Sequence, residues 1–186
     1  MGVGHTSFGT LISNQVSIER KFNADCVVIE GDRSQINQLM LNMAINSRDA
    51  MSLEQPGTIT FQTENVTIQK KFAEKLSIAT GLYVKLSVID TGSGIPESQL
   101  HKIFDPFYTT KGETTGTGLG LSTVQNIMKN HHGFVEVKSE VGKGTRFDLH
   151  FPCKDKTPKI PDNGYSQDNG NSETVLFADH DSLIDK

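Results

Sequence analysis

Three glycines at alternate positions, Gly116, Gly118 and Gly120, lead straight into a segment whose apolar residues Leu121, Val124 and Met128 recur at helical spacing. A helix starting there turns unpaired amide groups and the positive end of its dipole toward the preceding loop, which favours phosphate. The pattern predicts a phosphate cradle, yet neither common one fits. No Gly-x-x-x-x-Gly-Lys-Ser/Thr run occurs and the full dinucleotide fingerprint is missing, so the P-loop and Rossmann readings have no support. The loop from Asp105 to Gly118, rich in Thr and Gly, reads as a lid rather than a plain connector.

Around that cradle the chain reads as mixed strands and helices. Alternating Val16, Ile18 and Phe22, then Val27 to Ile29, predict two strands joined by Asn23 to Asp25 as a hairpin. Asp32 and Gln35 resemble a capping box opening a helix to about Met51, with Ile36, Leu39, Met40, Met43, Ser47 and Ala50 at helical spacing. Pro56 and Gly57 break it; strands follow at Ile59 to Phe61 and Val84 to Asp90, then a short helix from Pro96 to Phe104. Gly133 stops the helix after the cradle, and strands at Phe134 to Val137 and Thr145 to Phe151 close the domain. Without regular strand-helix-strand repetition, this order predicts an α/β fold: a sheet with helices on one face.

Candidate chemistry gathers at three places. Asn42, Asn46 and Asp49 lie four and three positions apart, on one helix face beside the apolar stripe. Asp90 shares a strand face with Val84, Leu86 and Val88, so its carboxylate points to the core, and Thr145 likewise shares a face with Phe147, Leu149 and Phe151. Gly92 and Gly94 would let backbone approach a flat ligand whose amino group donates to Asp90, as adenine does.

The formal charge of −4 with scattered Lys and Arg excludes a basic surface for nucleic acid. No apolar run approaches the roughly 18 residues a membrane helix needs, and no secretion signal opens the chain, so a cytoplasmic domain without membrane contact is expected. Met1, Gly2 and Thr6 match only the loose N-myristoylation pattern. Cys26 and Cys153 stand far apart outside any Cys-x-x-Cys spacing, so neither zinc site nor disulfide is expected and a reducing cytosol fits.

Taken together, "NQLMLNMAINSRDAM", "DTGSGIP", "IFDPFYTTK" and "GTGLGLSTVQ" resemble, in order, the N, first glycine, F and second glycine boxes of sensor histidine kinases. "GKGTRFDLHFP" is similar to the terminal strand of the same family. The resemblance implies the Bergerat fold, a two-layer α/β sandwich with a mixed, mostly antiparallel sheet. It implies ATP and Mg2+ as cofactors: Asn46 as the magnesium ligand, Asn42 near the triphosphate, Asp90 on the adenine amino group and Thr145 supporting it through water. Asp49 joins the nucleotide face of the helix; Ala50 and Ile95 would contact the adenine ring. Lys111 would meet the terminal phosphate, and Gly116, Gly118, Leu119, Gly120 and Leu121 would line the phosphate chain. Phe104 and Phe107 would anchor the lid.

The implied reaction is transfer of the ATP terminal phosphate to a histidine, with Asn42, Asn46 and Lys111 as the catalytic set. The ATP-hydrolysing relatives, gyrase B, mismatch-repair ATPases and the large heat-shock chaperone, carry a glutamate where Asn42 stands, and an amide is no general base toward water. Steady ATP hydrolysis would point instead to an ATPase; nucleotide binding without transfer would point to a degenerate interaction module. In this family the acceptor histidine is followed by an acidic residue on a dimerising helical hairpin, and His5, His101, His131, His132, His150 and His180 all lack that context. His131 and His132 read as a helix end whose cations complement the dipole. The expected partners are those helices in a homodimeric parent, soluble or membrane-anchored, and a downstream response regulator, with the domain itself monomeric. The resemblance places the catalytic domain at 14–153 after a remnant at 1–13, and the run of Pro, Asn, Asp, Gly and Lys with almost no apolar residues at 154–172 reads as a linker. At 173–186, "ETVLFADHDSL" resembles the first strand and acidic turn of a receiver.

Overall fold

The computed structural model describes residues 16–26, 28–52, 55–110, 116–154 and 173–176. Five strands form one sheet in the order β1-β3-β4-β6-β5: β1 Val16–Phe22, β3 Gly57–Ile68, β4 Gly81–Asp90, β5 Phe134–Glu140 and β6 Gly144–Pro152. Strand β1 runs parallel to β3 and every other neighbour in this sheet is antiparallel. The sheet is thus mixed and mostly antiparallel, with helices packed against it, as expected. Edge strand β1 exposes Glu19, Arg20 and Lys21, charges that discourage pairing with another chain.

Helices α1 (Arg33–Ala50) and α4 (Gly120–Asn130) pack on each other and on the sheet. α1 buries Ile36, Leu39, Met43, Ala44 and Ser47, an i, i+3, i+7 stripe, against Ile59, Phe61, Val84, Leu86, Val88, Phe147, Leu149 and Phe151 of the strands. Fully burying one such Leu or Phe is worth about 1.5–3 kcal/mol. Asp32 caps α1, its Oδ1 accepting from the Ser34 and Gln35 amides at 2.7 and 3.1 Å. The reciprocal half of a capping box is absent. The Gln35 side chain instead accepts from Asn130 Nδ2 of α4 at 3.5 Å.

His131 supplies the missing partner. Its Nε2 accepts from the Asp32 amide at 3.1 Å while Nδ1 lies 2.8 Å from Ile127 O, a pattern that requires the neutral ring protonated on Nδ1. The expected cation at a helix end is therefore a neutral buried clamp between the end of α4 and the start of α1. The sequence places this ring only at a helix terminus; the sheet brings α1 alongside.

Several other expectations change. β1 and β2 (Val28–Gly31) are not a hairpin: β1 joins β3, whereas β2 pairs antiparallel with β7, Glu173–Leu176. The turn at Asn23 to Asp25 looks like a hairpin connection, but long-range pairings decide each strand's neighbour. Helix α2 (Lys70–Leu76) went unread because it is short and mostly charged; it covers a small second core of Ile68, Ala73 and Tyr83. The short helix α3 spans Glu97–Leu100, with turns continuing beyond it.

Cys26 and Cys153 form a disulfide, with Cα atoms 6.6 Å apart. The separation along the chain suggests no disulfide framework, but the sheet carries the β1–β2 loop to the end of β6. Lys154 belongs to the folded part rather than to a linker: its amide donates to Val28 O at 3.0 Å and its amine pairs with Glu30. Residues 155–172 lie outside the described residues, as do 1–15.

The sheet face away from α1 and α4 carries a charged network. Asp148 accepts from Ser87 Oγ and from Arg146 Nε at 2.8 Å. Burial pushes its carboxyl up, but those bonds with the Arg146 and Lys85 charges together hold it below the ordinary aspartate value. His150 stacks on Phe134 with ring centres 4.2 Å apart. Glu136 Oε2 stands 3.0 Å from His150 Nε2 but off the line of a hydrogen bond, so it acts through charge.

Candidate functional site

A cavity of about 720 Å³ opens between α1, the β4–α3 connection, the start of β6 and the start of α4. Ile45, Ala50, Ile95, Ile103, Leu121 and Phe147 give it apolar walls. The Ser93 amide donates to Ala50 O at 2.9 Å, fastening the loop after β4 to the end of α1. An added Cβ at Gly92 would run into Ala50, and one at Gly94 (φ 71°) into the Glu140 backbone. The protein's own close packing thus requires both glycines.

Asp90, 4% exposed, ends β4 at one end of the cavity. Its Oδ1 accepts from the Gly92 amide at 2.9 Å and the Thr145 amide at 3.1 Å, leaving Oδ2 for a donor in the cavity. Burial pushes the Asp90 carboxyl above its ordinary value, the two amides opposing this in part. Ser47 faces the same carboxylate, though its hydroxyl stands outside hydrogen-bond geometry. Thr145 Oγ1 lies 2.9 Å from Ser139 Oγ, which accepts from the Ile95 amide at 2.8 Å and donates to Gly144 O at 2.9 Å. Ser139 therefore ties β5, β6 and the loop after β4 into one frame. This end offers an acceptor and an apolar slot, the complement of an aminated heterocycle.

The other end carries the start of α4, where no side chain caps the helix. Its first amide groups and dipole favour an anion. Asn42 is tied at both ends of its amide: Gln38 Nε2 donates to its Oδ1 at 3.0 Å, and its Nδ2 donates to Gly120 O at 3.3 Å. Asn46 Nδ2 is buried without a partner, and the side chain sits beside Gly120. Turning that amide over exchanges nitrogen for oxygen without changing shape, so the orphaned position can present an oxygen to a hard cation. Asp49 is held by Arg48 at 2.6 Å. Among the described residues the lining has two carboxylates and no Lys or Arg, so a polyphosphate needs added counter-charge.

Asn42, Asn46, Asp49, Ala50, Asp90, Gly94, Ile95, Gly116, Gly118, Leu119, Gly120, Leu121 and Thr145 all line this one cavity. Gly92 and Phe107 stand outside the lining; Phe107 is 75% exposed and contributes through its backbone, its amide donating to Gly118 O at 3.0 Å. Phe104 packs against the core. Lys111 lies outside the described residues. Sequence reasoning missed Ser139, Ile103 and Tyr108. Tyr108 follows the quoted "IFDPF" and was within reach, whereas nothing local marks Ser139 on an edge strand.

The profile of the family described as "Histidine kinase-, DNA gyrase B-, and HSP90-like ATPase" matches residues 31–155. Sensor kinase CckA of Brucella abortus (strain 2308) is 41% identical over 145 residues, 76% of this chain and 15% of that protein. Sensor histidine kinase ZraS of Escherichia coli (strain K12) is 37% identical over 142 residues, 75% of this chain and 27% of that protein. The chain therefore spans only a minor part of these relatives. The nucleotide-free catalytic domain of histidine kinase ThkA superimposes with a TM-score of 0.58 at 28% identity, covering 75% of this chain and 80% of that one. With a buried carboxylate facing the cavity, an uncapped helix start and these relatives together, the chain belongs to the histidine kinase-, DNA gyrase B- and HSP90-like ATPase family and carries the ATP-binding catalytic domain of a sensor histidine kinase.

Proposed function

We propose that this domain transfers the terminal phosphate of ATP to a histidine on dimerisation helices of a homodimeric parent protein, which passes it to a response regulator. An imidazole nitrogen attacks the γ-phosphorus, the bond to the β–γ bridging oxygen breaks, and ADP leaves. The observation that carries the reading is that an amide, Asn42, tied to Gln38 and Gly120 O, stands at the phosphate end where a base toward water would be a carboxylate. Asp49, on the same helix face, is engaged by Arg48.

Asp90 and Thr145 would orient the adenine, and the start of α4 would hold the phosphates. Asn46 would hold Mg2+, supported by its orphaned amide and by the lack of Lys or Arg among the described lining residues. That ion would supply neutralising charge to the phosphate oxygens. Lys111 would add a second positive charge at the terminal phosphate and Phe107 would hold the lid stem. The catalytic domain would occupy 14–154 with a connection to 172. Residues 173–186 would begin a receiver: the strand at Glu173–Leu176 supports this, while its antiparallel pairing with β2 weighs against it.

The test is calorimetry with a non-hydrolysable ATP analogue and magnesium, wild type against Asn46→Ala, followed by labelling of the parent with γ-labelled ATP. Magnesium-dependent binding lost in the variant, with acid-labile label on the parent's histidine, is expected. Steady phosphate release abolished by Asn42→Ala would replace kinase with ATPase. Binding without any histidine label would leave a nucleotide-dependent interaction module.

A further inference from the structure

The disulfide is at odds with the chemistry of its domain. A domain that uses ATP works where thiols are kept reduced, and disulfides formed there are transient, catalytic or redox-sensing rather than structural. Cys26 and Cys153 are both half-buried, so a small reagent can reach them. Among the described residues no cysteine is free.

The fold around the pair stands without the covalent bond. Asn65 holds the Cys26 loop from β3: its Oδ1 accepts from the Asp25 and Cys26 amides at 2.7 and 2.9 Å, and its Nδ2 donates to Cys26 O at 2.7 Å. On the other side the Cys153 amide donates to Leu82 O at 2.9 Å and the Lys154 amide to Val28 O at 3.0 Å. Each cysteine is held by hydrogen bonds of its own backbone groups that do not depend on the bridge. The reduced state is provided for as well, because Cys26 Sγ lies 3.7 Å from Lys154 O, an acceptor for its S–H once the bridge is open.

We propose that Cys26 and Cys153 are a reversible oxidation site, closed by exchange with a low-molecular-weight disulfide of the glutathione class. One thiolate attacks that disulfide and releases one small thiol; the second thiolate attacks the mixed disulfide and releases the other. Two protein thiols are oxidised to one disulfide, and the small disulfide is reduced to two thiols. The closed bridge fastens the chain leaving β6 to the loop that feeds β2 and thence α1, across a sequence separation of 127. The proposal rests on the ATP-using reading for its compartment, but its chemistry can be tested without nucleotide.

The full chain is equilibrated in buffers from excess reduced to excess oxidised glutathione, quenched, and its free thiols counted by alkylation and intact mass. Both cysteines should label in reduced glutathione and neither in oxidised, interconverting when one sample is moved between buffers. The oxidised form should melt higher by about 10 °C, as expected for closing a long loop, with slower hydrogen exchange at the Lys154 amide. Cys26→Ser and Cys153→Ser should each abolish the redox-dependent difference. Labelling at every ratio, arrest as glutathione adducts, or a bridge that survives excess reduced glutathione overturns the proposal. None of these results bears on nucleotide binding, so the ATP site stands or falls separately.

Discussion

Asp90→Asn separates the ligand-binding role of this carboxylate from its place in the fold. The variant keeps the shape and one oxygen, which can continue to accept from the Gly92 and Thr145 amides. Its new amino group then occupies the Oδ2 position, where a donor of the adenine would meet another donor. Losing a hydrogen bond to a charged acceptor costs about 1.5–3 kcal/mol, roughly a 10- to 150-fold rise in Kd. Burial holds the Asp90 carboxyl above its ordinary value, so the fold favours its neutral form. An uncharged isostere should therefore be at least as stable as wild type near neutrality. With nucleotide at a hundred times the wild-type Kd, wild type gains about 2.7 kcal/mol, whereas a hundredfold weaker variant gains only about 0.4. Melting with and without an ATP analogue should show a shift of about 10 °C shrinking to one or two. A variant that retains the full shift, or melts far below wild type without nucleotide, would refute the argument. On acidification, wild-type affinity should begin to fall at a higher pH than an ordinary aspartate would dictate, because the raised carboxyl protonates earlier.

Ser139→Ala removes the hydroxyl joining Ile95, Gly144 and Thr145 and should weaken nucleotide binding several-fold, or about 1 kcal/mol, by calorimetry. Unchanged affinity would show that Thr145 is oriented without it. For His150, burial first and foremost lowers the ring's affinity for protons, against the pull of Glu136 and Asp148. The unfolded chain thus binds more protons, so stability should decline as pH drops from the ordinary histidine range through the folded value. Asp148, also lowered, adds a further loss below the ordinary aspartate range. Denaturant melts from roughly pH 7 to 5 should show a flatter profile in His150→Leu, and an equal slope would exclude His150. His131→Phe leaves the Asp32 amide without its acceptor and should cost about 1–3 kcal/mol by urea unfolding; a neutral result would deny the clamp.

The site was more legible than the folding frame around it. Asn46, Asp90 and Thr145 could be placed because each sits on an element whose period fixes which side it faces: helix α1 or the inner face of β4 and β6. Ser139 and the His131 clamp were invisible for the opposite reason, since each acts across elements far apart in sequence. The β1–β2 hairpin failed in the same way, because β1 found its partner in β3 rather than in the next strand. The bridge between Cys26 and Cys153 likewise depends on where β6 ends in space.

The bond from the Phe107 amide to Gly118 O has a consequence for how this domain tolerates change. Gly118 has φ 65°, and an added Cβ would collide with the Phe107 backbone, so the crossing point admits no side chain at that position. The two ends of the segment from Tyr108 to Thr117 are thereby pinned beside the start of α4. Lengthening a segment whose ends are already joined costs slowly, about 0.6 kcal/mol for each doubling. Insertions between the pinned ends should therefore be accommodated cheaply, without retuning the start of α4.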